Sequence, residues 1–290
     1  MSDPFVIDGP TCISFSGGRT SAYMLWRVLQ SNHGLPSDAV VAFANTGKED
    51  EATLRFVREC GERWSVHIHW LEFRDDERCF AEVDFDTASR HGEPFEAVIR
   101  KRNYLPNPVT RFCTSELKIR TMHKWLRANW QSFGWCAHDL EWDQMIGIRA
   151  DEHRRVSKIR ARGHSTETTK ETMRMPLADA GVTVQDVGRF WDGQPFNLDL
   201  PTNRGRTLLG NCDLCFLKPA QQVFSLIAEK PERALWWAQM EALALALASK
   251  PDGARFRKDR PGYAEMADFA NKQVDMFNND EEALACFCGE

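Results

Sequence analysis

The sequence predicts an open α/β fold, a mostly parallel twisted sheet with flanking helices, followed by an α-rich C-terminal part that carries cysteines. Three observations lead there. Four segments of strand length occur at 11–15, 40–44, 66–73 and 144–148, the first two as apolar runs. Helical patterns alternate with them, as in right-handed crossover units. The second run, VVAFA, is apolar at every position, as in a strand buried on both faces of a parallel sheet.

The elements follow in order. Thr11–Phe15 ends in Ser16-Gly17-Gly18, and a helical pattern continues through Ala22, Leu25, Trp26 and Leu29, giving strand, glycine loop, helix. Val40–Ala44 ends at Asn45-Thr46-Gly47, ahead of a helix from about Glu51 to Trp64. Val66–Phe73 and Gln144–Ile148 supply the third and fourth strands. Between them, 75–110 reads as irregular, and Ser115–Trp130 as a helix capped by Thr114 or Ser115. From Arg149 to Arg174 there are eight Lys and Arg against four Asp and Glu, and 155–174 reads as a solvated charged face. The pattern changes after Met175-Pro176-Leu177, and Pro219 to about Ser249 is strongly helical. The expected division is a nucleotide-binding α/β domain at 1–175 and an α-rich region at 176–290.

Composition narrows the function classes. A chain of 290 residues that is 42% hydrophobic and 27% charged is an ordinary globular composition. A net charge of −5 argues against a generally basic nucleic-acid binder. No apolar run reaches membrane-spanning length, and the N-terminus lacks the basic and apolar regions of a secretory signal, so no membrane association and a cytoplasmic address are expected. Nine cysteines, an odd number in a long chain, do not read as a disulfide framework. In a reducing compartment, clustered thiols point to metal or thiol chemistry.

Five segments can carry chemistry. Ser16-Gly17-Gly18-Arg19-Thr20-Ser21 offers backbone N–H groups, hydroxyls and a helix N-terminus to a phosphate or pyrophosphate, or is an ordinary strand-to-helix turn. Replacing Gly17 by Val is expected to abolish ATP binding while leaving the fold intact. Cys113 stands at a helix start among Arg111, Lys118 and Arg120, a setting that favours thiolate, or it is a small buried packing residue. Cys212 and Cys215 form a CxxC in a turn, suited to zinc or an iron–sulfur cluster. Cys286 and Cys288 form a terminal CxC. Arg149 and Arg154 follow the fourth strand, where arginines can fork onto phosphate or sulfate oxygens. Cys12, Cys60, Cys79 and Cys136 are assigned to packing, and His67 and His69, alternating along a strand, to packing or solvent.

Taken together these segments resemble the phosphoadenosine-phosphosulfate (PAPS) reductase family of the PP-loop, adenine nucleotide alpha-hydrolase-like superfamily. Ser16–Ser21 is similar to its SGGxxS loop, with Thr20 where relatives often carry Asp. Asn45-Thr46-Gly47, the RxC…K element at Arg111, Cys113 and Lys118, the GIRxDE segment at 147–152, and the CxxC at 212–215 resemble further elements in the same order. Two departures separate this chain from the sulfonucleotide reductases. Thr114 follows Cys113 where iron–sulfur relatives carry Cys-Cys, and the chain ends CFCGE rather than ECGxH.

The resemblance implies a Rossmann-like PP-loop fold and a [4Fe–4S] cluster, with zinc as the alternative. It implies ATP or adenylyl sulfate as substrate, with Mg²⁺ compatible, and the chemistry of sulfonucleotide reduction or ATP-dependent sulfur transfer. Ser16, Gly17, Gly18, Arg19, Thr20, Ser21, Asn45, Thr46, Gly47, Arg149 and Arg154 would hold the nucleotide. Lys118, Arg149 and Cys288 would be catalytic. Cys113, Cys212, Cys215 and Cys288 would bind metal, with Cys286 as the alternative fourth ligand. A thiol or electron-donor protein and a second copy of the chain are compatible partners, and the basic stretch admits a nucleic-acid acceptor. The alternative reading is a non-enzymatic nucleotide-binding module with a structural zinc site.

Overall fold

A computed structural model describes residues 3–135, 141–203, 206–247 and 254–278. They fall into two compact units, one made of the described residues within 3–102 and 109–213, the other of those within 103–108 and 214–278. The boundary falls after Asp213, so the compositional change at 175 lies inside the first unit. The reason is packing: Trp191, beyond that change, is fully buried against Phe56 and Trp64.

The first unit is a six-stranded open sheet. Its strands are β1 (Thr11–Ser14), β2 (Ala39–Asn45), β3 (Ile68–Phe73), β4 (Phe80–Val83), β5 (Trp142–Ile146) and β6 (Glu171–Arg174), in the order β4-β3-β2-β1-β5-β6. All neighbours are parallel except β3 and β4. The four expected strands are present, and every residue of β2 is buried, as its unbroken apolar run requires. The flanking helices begin with α1 (Arg19–Ser31) and α2 (Glu51–Trp64), and Asp50 caps the second by accepting from the Ala52 N–H.

The stretch 75–110 is more ordered than its sequence suggests. It contains β4 and a helix, α3 (Glu93–Arg102). β6 was hidden because ETMR is polar. Its Glu171 is buried all the same, 2.8 Å from His123 Nε2. The helix expected from Ser115 starts earlier, as α4 (Phe112–Thr114), and passes through a π-helical turn at Ser115–Arg120 into α5 (Thr121–Asn129). Neither Thr114 nor Ser115 caps it, since both already have helical backbone angles. The charged stretch folds as α6 (His153–Arg162) and β6, followed by α7 (Pro176–Asp179), α8 (Val184–Asp192) and a small hairpin, β7 (Thr202–Asn203) with β8 (Arg206–Thr207).

The second unit is helical, as expected: α9 (Ala220–Glu229), α10 (Ala234–Leu247) and α11 (Tyr263–Asn278). Trp237, Phe256 and Tyr263 are buried together, with Trp237 stacked on Tyr263 at 5.3 Å. Among the described residues, no helix is long and apolar enough to cross a membrane.

Candidate functional site

The sheet order fixes where a ligand site belongs. The chain runs outward from β1 through β2 to β3, then returns to place β5 on the other side of β1. Open parallel sheets bind ligands at such a reversal, beyond the C-terminal ends of the strands. Here the loops after β1 and β5 flank that point, 16–18 and 147–152. They approach so closely that a Cβ on Gly147 would sit 3.0 Å from Ser21 Cα.

A cleft of about 260 Å³ opens there, bordered by Ser16–Thr20, Thr53, Gly147, Arg149, Glu152 and Arg155, and closed by residues such as Leu198 and Asn211. The glycine loop is held in shape by its own hydroxyls. Ser21 Oγ accepts from Ser16 N–H (3.1 Å), contacts Ser16 Oγ at 2.9 Å and donates to the Gly18 carbonyl at 2.9 Å. Gly18 is the N-cap of α1 and has no side chain to satisfy the first helical N–H groups. Trp191 Nε1 donates to the Arg19 carbonyl at 2.9 Å, anchoring the start of the helix to α8.

Two side-chain groups at this cleft are buried without a hydrogen-bond partner, Thr53 Oγ1 and Arg19 Nη2. Buried donors left in this way cost about 1–3 kcal/mol each. Burial draws the Arg19 guanidinium below the usual arginine range, opposed by Asp192. On the other wall Arg149 donates to Thr20 Oγ1 at 3.1 Å and pairs with Asp151 at 2.9 Å, while its backbone N–H donates to Glu152 at 3.1 Å. A phosphate-sized anion suits this donor set.

Several expected residues take different roles. Gly17 has a φ of +72°, and a Cβ there would lie 2.6 Å from Thr53 Cγ2 and 3.2 Å from both Phe43 and Val57. Its lack of a side chain serves packing, so Gly17→Val is expected to destabilise the fold as well as to disturb the loop. Arg155 borders the cleft, whereas its exposed neighbour Arg154 does not. Asn45 is 0% exposed and spends its amide on Glu72 (2.6 Å) and the Ser89 carbonyl (2.9 Å). Thr46 is equally internal, bonded to the Glu49 carboxylate at 2.8 Å. Gly47, at a φ of +76°, lets the turn touch the Gly92 backbone. These three build the β2 turn and do not border the cleft.

The cysteines divide by burial. Cys12 and Cys60 are 0% exposed, and desolvation pushes the Cys12 thiol up to about 12 and that of Cys60 upward as well, so both are packing residues. Cys79 is half-buried in the β3–β4 turn at a φ of +62°, a turn position rather than a core one. Cys113 is half-buried in α4, and Lys118 lies in the π-helical turn that follows. Cys212 is buried at the edge of the first unit, its Sγ 3.4 Å from Thr46 Oγ1 and its backbone bridged to Glu49. Asp213 extends this seam through its N–H to the Lys48 carbonyl at 2.8 Å and a 3.2 Å ion pair with Lys48 Nζ.

Cys215 belongs to the second unit. There Tyr263 donates to the Leu214 carbonyl at 2.7 Å and Arg260 to those of Phe216 and Lys218. Cys136, Cys286 and Cys288 lie outside the described residues. The cysteines that remain, Cys113, Cys212 and Cys215, offer soft sulfur donors, the type that iron–sulfur clusters and zinc take. Among the described residues, one group of three His, Cys, Asp or Glu brings its ligand atoms within 4.8 Å of one another: His67, His69 and Glu82.

No family model matches the chain. It is similar to an uncharacterized nin region protein, ORF290, of Escherichia phage lambda, 29% identical over 224 residues that cover 73% of this chain and 67% of that one.

Proposed function

We propose that the protein is a nucleotide-binding enzyme whose cleft at the β1–β5 reversal takes the phosphates of ATP or of an adenylyl sulfate. The observation that carries this reading is the buried pair without partners, Arg19 Nη2 and Thr53 Oγ1, at a glycine loop that begins a helix. An anion between the loop and Arg149 would supply the missing acceptor for Arg19 and meet the positive end of the α1 dipole. This is the role that the resemblance to the PAPS reductase family assigns to Ser16–Ser21.

The chemistry that follows is group transfer at a phosphorus or sulfur bound to adenylate. In the ATP-dependent form, an acceptor oxygen attacks the α-phosphorus and the bond to pyrophosphate breaks. A sulfur nucleophile then displaces AMP from the acceptor. In the reductive form, a thiolate attacks the sulfur of an adenylyl sulfate and AMP leaves. Either way negative charge grows on the departing phosphate, and Arg149 and Arg155, which border the cleft, would stabilise it. The resemblance assigns Cys113, Cys212, Cys215 and Cys288, with Cys286 as the alternative fourth ligand, to an iron–sulfur cluster, which would supply sulfur or electron transfer when bound.

Anaerobically purified protein tests the reading through its iron and sulfide content, together with pyrophosphate release from ATP and sulfite release from adenylyl sulfate. Iron with turnover of one nucleotide is the expected result, and the nucleotide used selects the chemistry. A colourless, zinc-replete protein that turns over neither substrate overturns it.

A further inference from the structure

Away from the cleft, on the outer hairpin of the sheet, His67, His69 and Glu82 project from one face. His67 immediately precedes β3, His69 is the second residue of β3, and Glu82 lies on antiparallel β4, where it pairs with Leu71. Residues two apart on a strand share a face, and so do diagonal neighbours across an antiparallel pair. Both imidazoles converge on one oxygen. His69 Nδ1 is 2.5 Å and His67 Nε2 is 3.9 Å from Glu82 Oε1, and the two rings meet edge to face at 4.3 Å.

We propose that these three residues bind a divalent cation of the zinc class, with two imidazole nitrogens and one carboxylate oxygen as ligands and an open position toward solvent. Zinc bonds of about 2.0–2.1 Å in tetrahedral geometry set ligand atoms about 3.3 Å apart. The two separations at Glu82 Oε1 bracket that value, each within about 1 Å of it, and all three ligand atoms lie within 4.8 Å of one another. Nitrogen donors with one carboxylate select zinc and its late first-row neighbours over calcium or magnesium, which take oxygen ligands.

The surroundings are those of a supported site. Trp125 Nε1 donates to Glu82 Oε2 at 3.1 Å, fixing the carboxylate so that Oε1 faces the histidines. The His69 ring packs on Trp125 at 4.6 Å and near Phe133 at 6.0 Å, which holds its orientation. His67 is 75% exposed and is the ligand on the solvent side, beside the open position. A cation here would clasp β4, the antiparallel edge strand of the six-stranded sheet, to β3.

Co²⁺ titration of the full chain, in the wild type and in Cys212→Ala, provides the test. The expected result in both is a Co²⁺ site whose ligand-field bands lack sulfur-to-cobalt charge transfer, displaced by Zn²⁺ and present alongside any cobalt that the cysteines bind. His67→Ala removes an exposed ligand and is expected to weaken this binding more than about 100-fold, since outer-shell changes alone cost 10- to 100-fold. Glu82→Gln, which keeps an acceptor for Trp125, is expected to do the same with an unchanged melting temperature. Retention of the sulfur-free bands in both variants overturns the proposal, as does cobalt binding only with thiolate charge transfer.

Discussion

Gly17 and Gly18 adjoin in the same loop, yet substitutions at the two should fail in opposite ways. Gly17 has a left-handed backbone, which costs a side-chain-bearing residue about 1–3 kcal/mol. A Val there also meets Thr53 Cγ2 at 2.6 Å from its Cβ alone, with Phe43 and Val57 at 3.2 Å, and overpacking of this kind costs another 1–3 kcal/mol or so. Gly17→Val therefore loses about 2–6 kcal/mol, a large part of a typical total of about 5–15 kcal/mol. Its melting temperature should fall by at least about 4 °C.

Gly18 has ordinary extended angles, and the nearest atom to a Cβ there is Ser16 Oγ at 3.7 Å. Gly18→Ala should lose only about 1 kcal/mol, the cost of Ala at a helix N-cap, and melt a few degrees below the wild type at most. Its methyl group stands at the cleft wall, however, and denies an incoming phosphate the approach to the helix N-terminus. Loss of one charge-assisted hydrogen bond, about 1.5–3 kcal/mol, corresponds to about 10- to 150-fold in ATP affinity. Differential scanning fluorimetry and isothermal titration calorimetry on both variants decide the matter. Wild-type melting of Gly17→Val would refute the packing argument, and wild-type ATP affinity in Gly18→Ala would refute the phosphate site.

Three further outcomes are expected. Arg149→Lys keeps the charge but loses the fork that joins Thr20 and Asp151, so nucleotide turnover should fall about 100- to 1,000-fold, measured by product release under saturating substrate. Asn45→Ala strips a donor from Glu72, which is 0% exposed, and should destabilise the protein by about 1–3 kcal/mol in chemical denaturation. Burial raises the Glu241 carboxyl above its ordinary 4.5, against the pull of the Tyr263 and Phe256 N–H groups. The folded state then holds this proton more tightly than the unfolded state, so stability contributed by the protonated form is present below pH 4.5 and is lost as pH rises through the folded value. Glu241→Gln should flatten that decline in melting temperature between acidic and neutral pH.

The parallel core was legible because its strands are apolar and separated by amphipathic helices, so periodicity and burial agree in β1, β2, β3 and β5. β6 was not, because Glu171 is buried through a partner 48 residues away rather than by being apolar. The π-helical turn leaves no distinct mark on the apolar spacing of 115–130. The glycine loop was recognisable by composition and spacing, and it does border the cleft. Which arginine of the 154–155 pair joins it is a matter of helix phase, set by where α6 begins. The roles of Asn45 and Thr46 depend on Glu72, Ser89, Glu49 and Cys212, partners that a linear pattern cannot supply.

The seam between the β2 turn and Cys212 has a consequence for the order of assembly. Thr46 and Cys212 are separated by 166 residues, and forming their contact closes a loop that contains β3, β4, β5 and β6. Contacts of such separation carry a high closure entropy and form after the local and neighbouring-strand pairings that reward them. The β2 turn can be complete within its own neighbourhood, through Glu49, Asn45 and Glu72, before Cys212 arrives. The thiol is thus expected to reach a surface already built, and labelling of Cys212 during refolding should show its side chain passing from solvent to burial late.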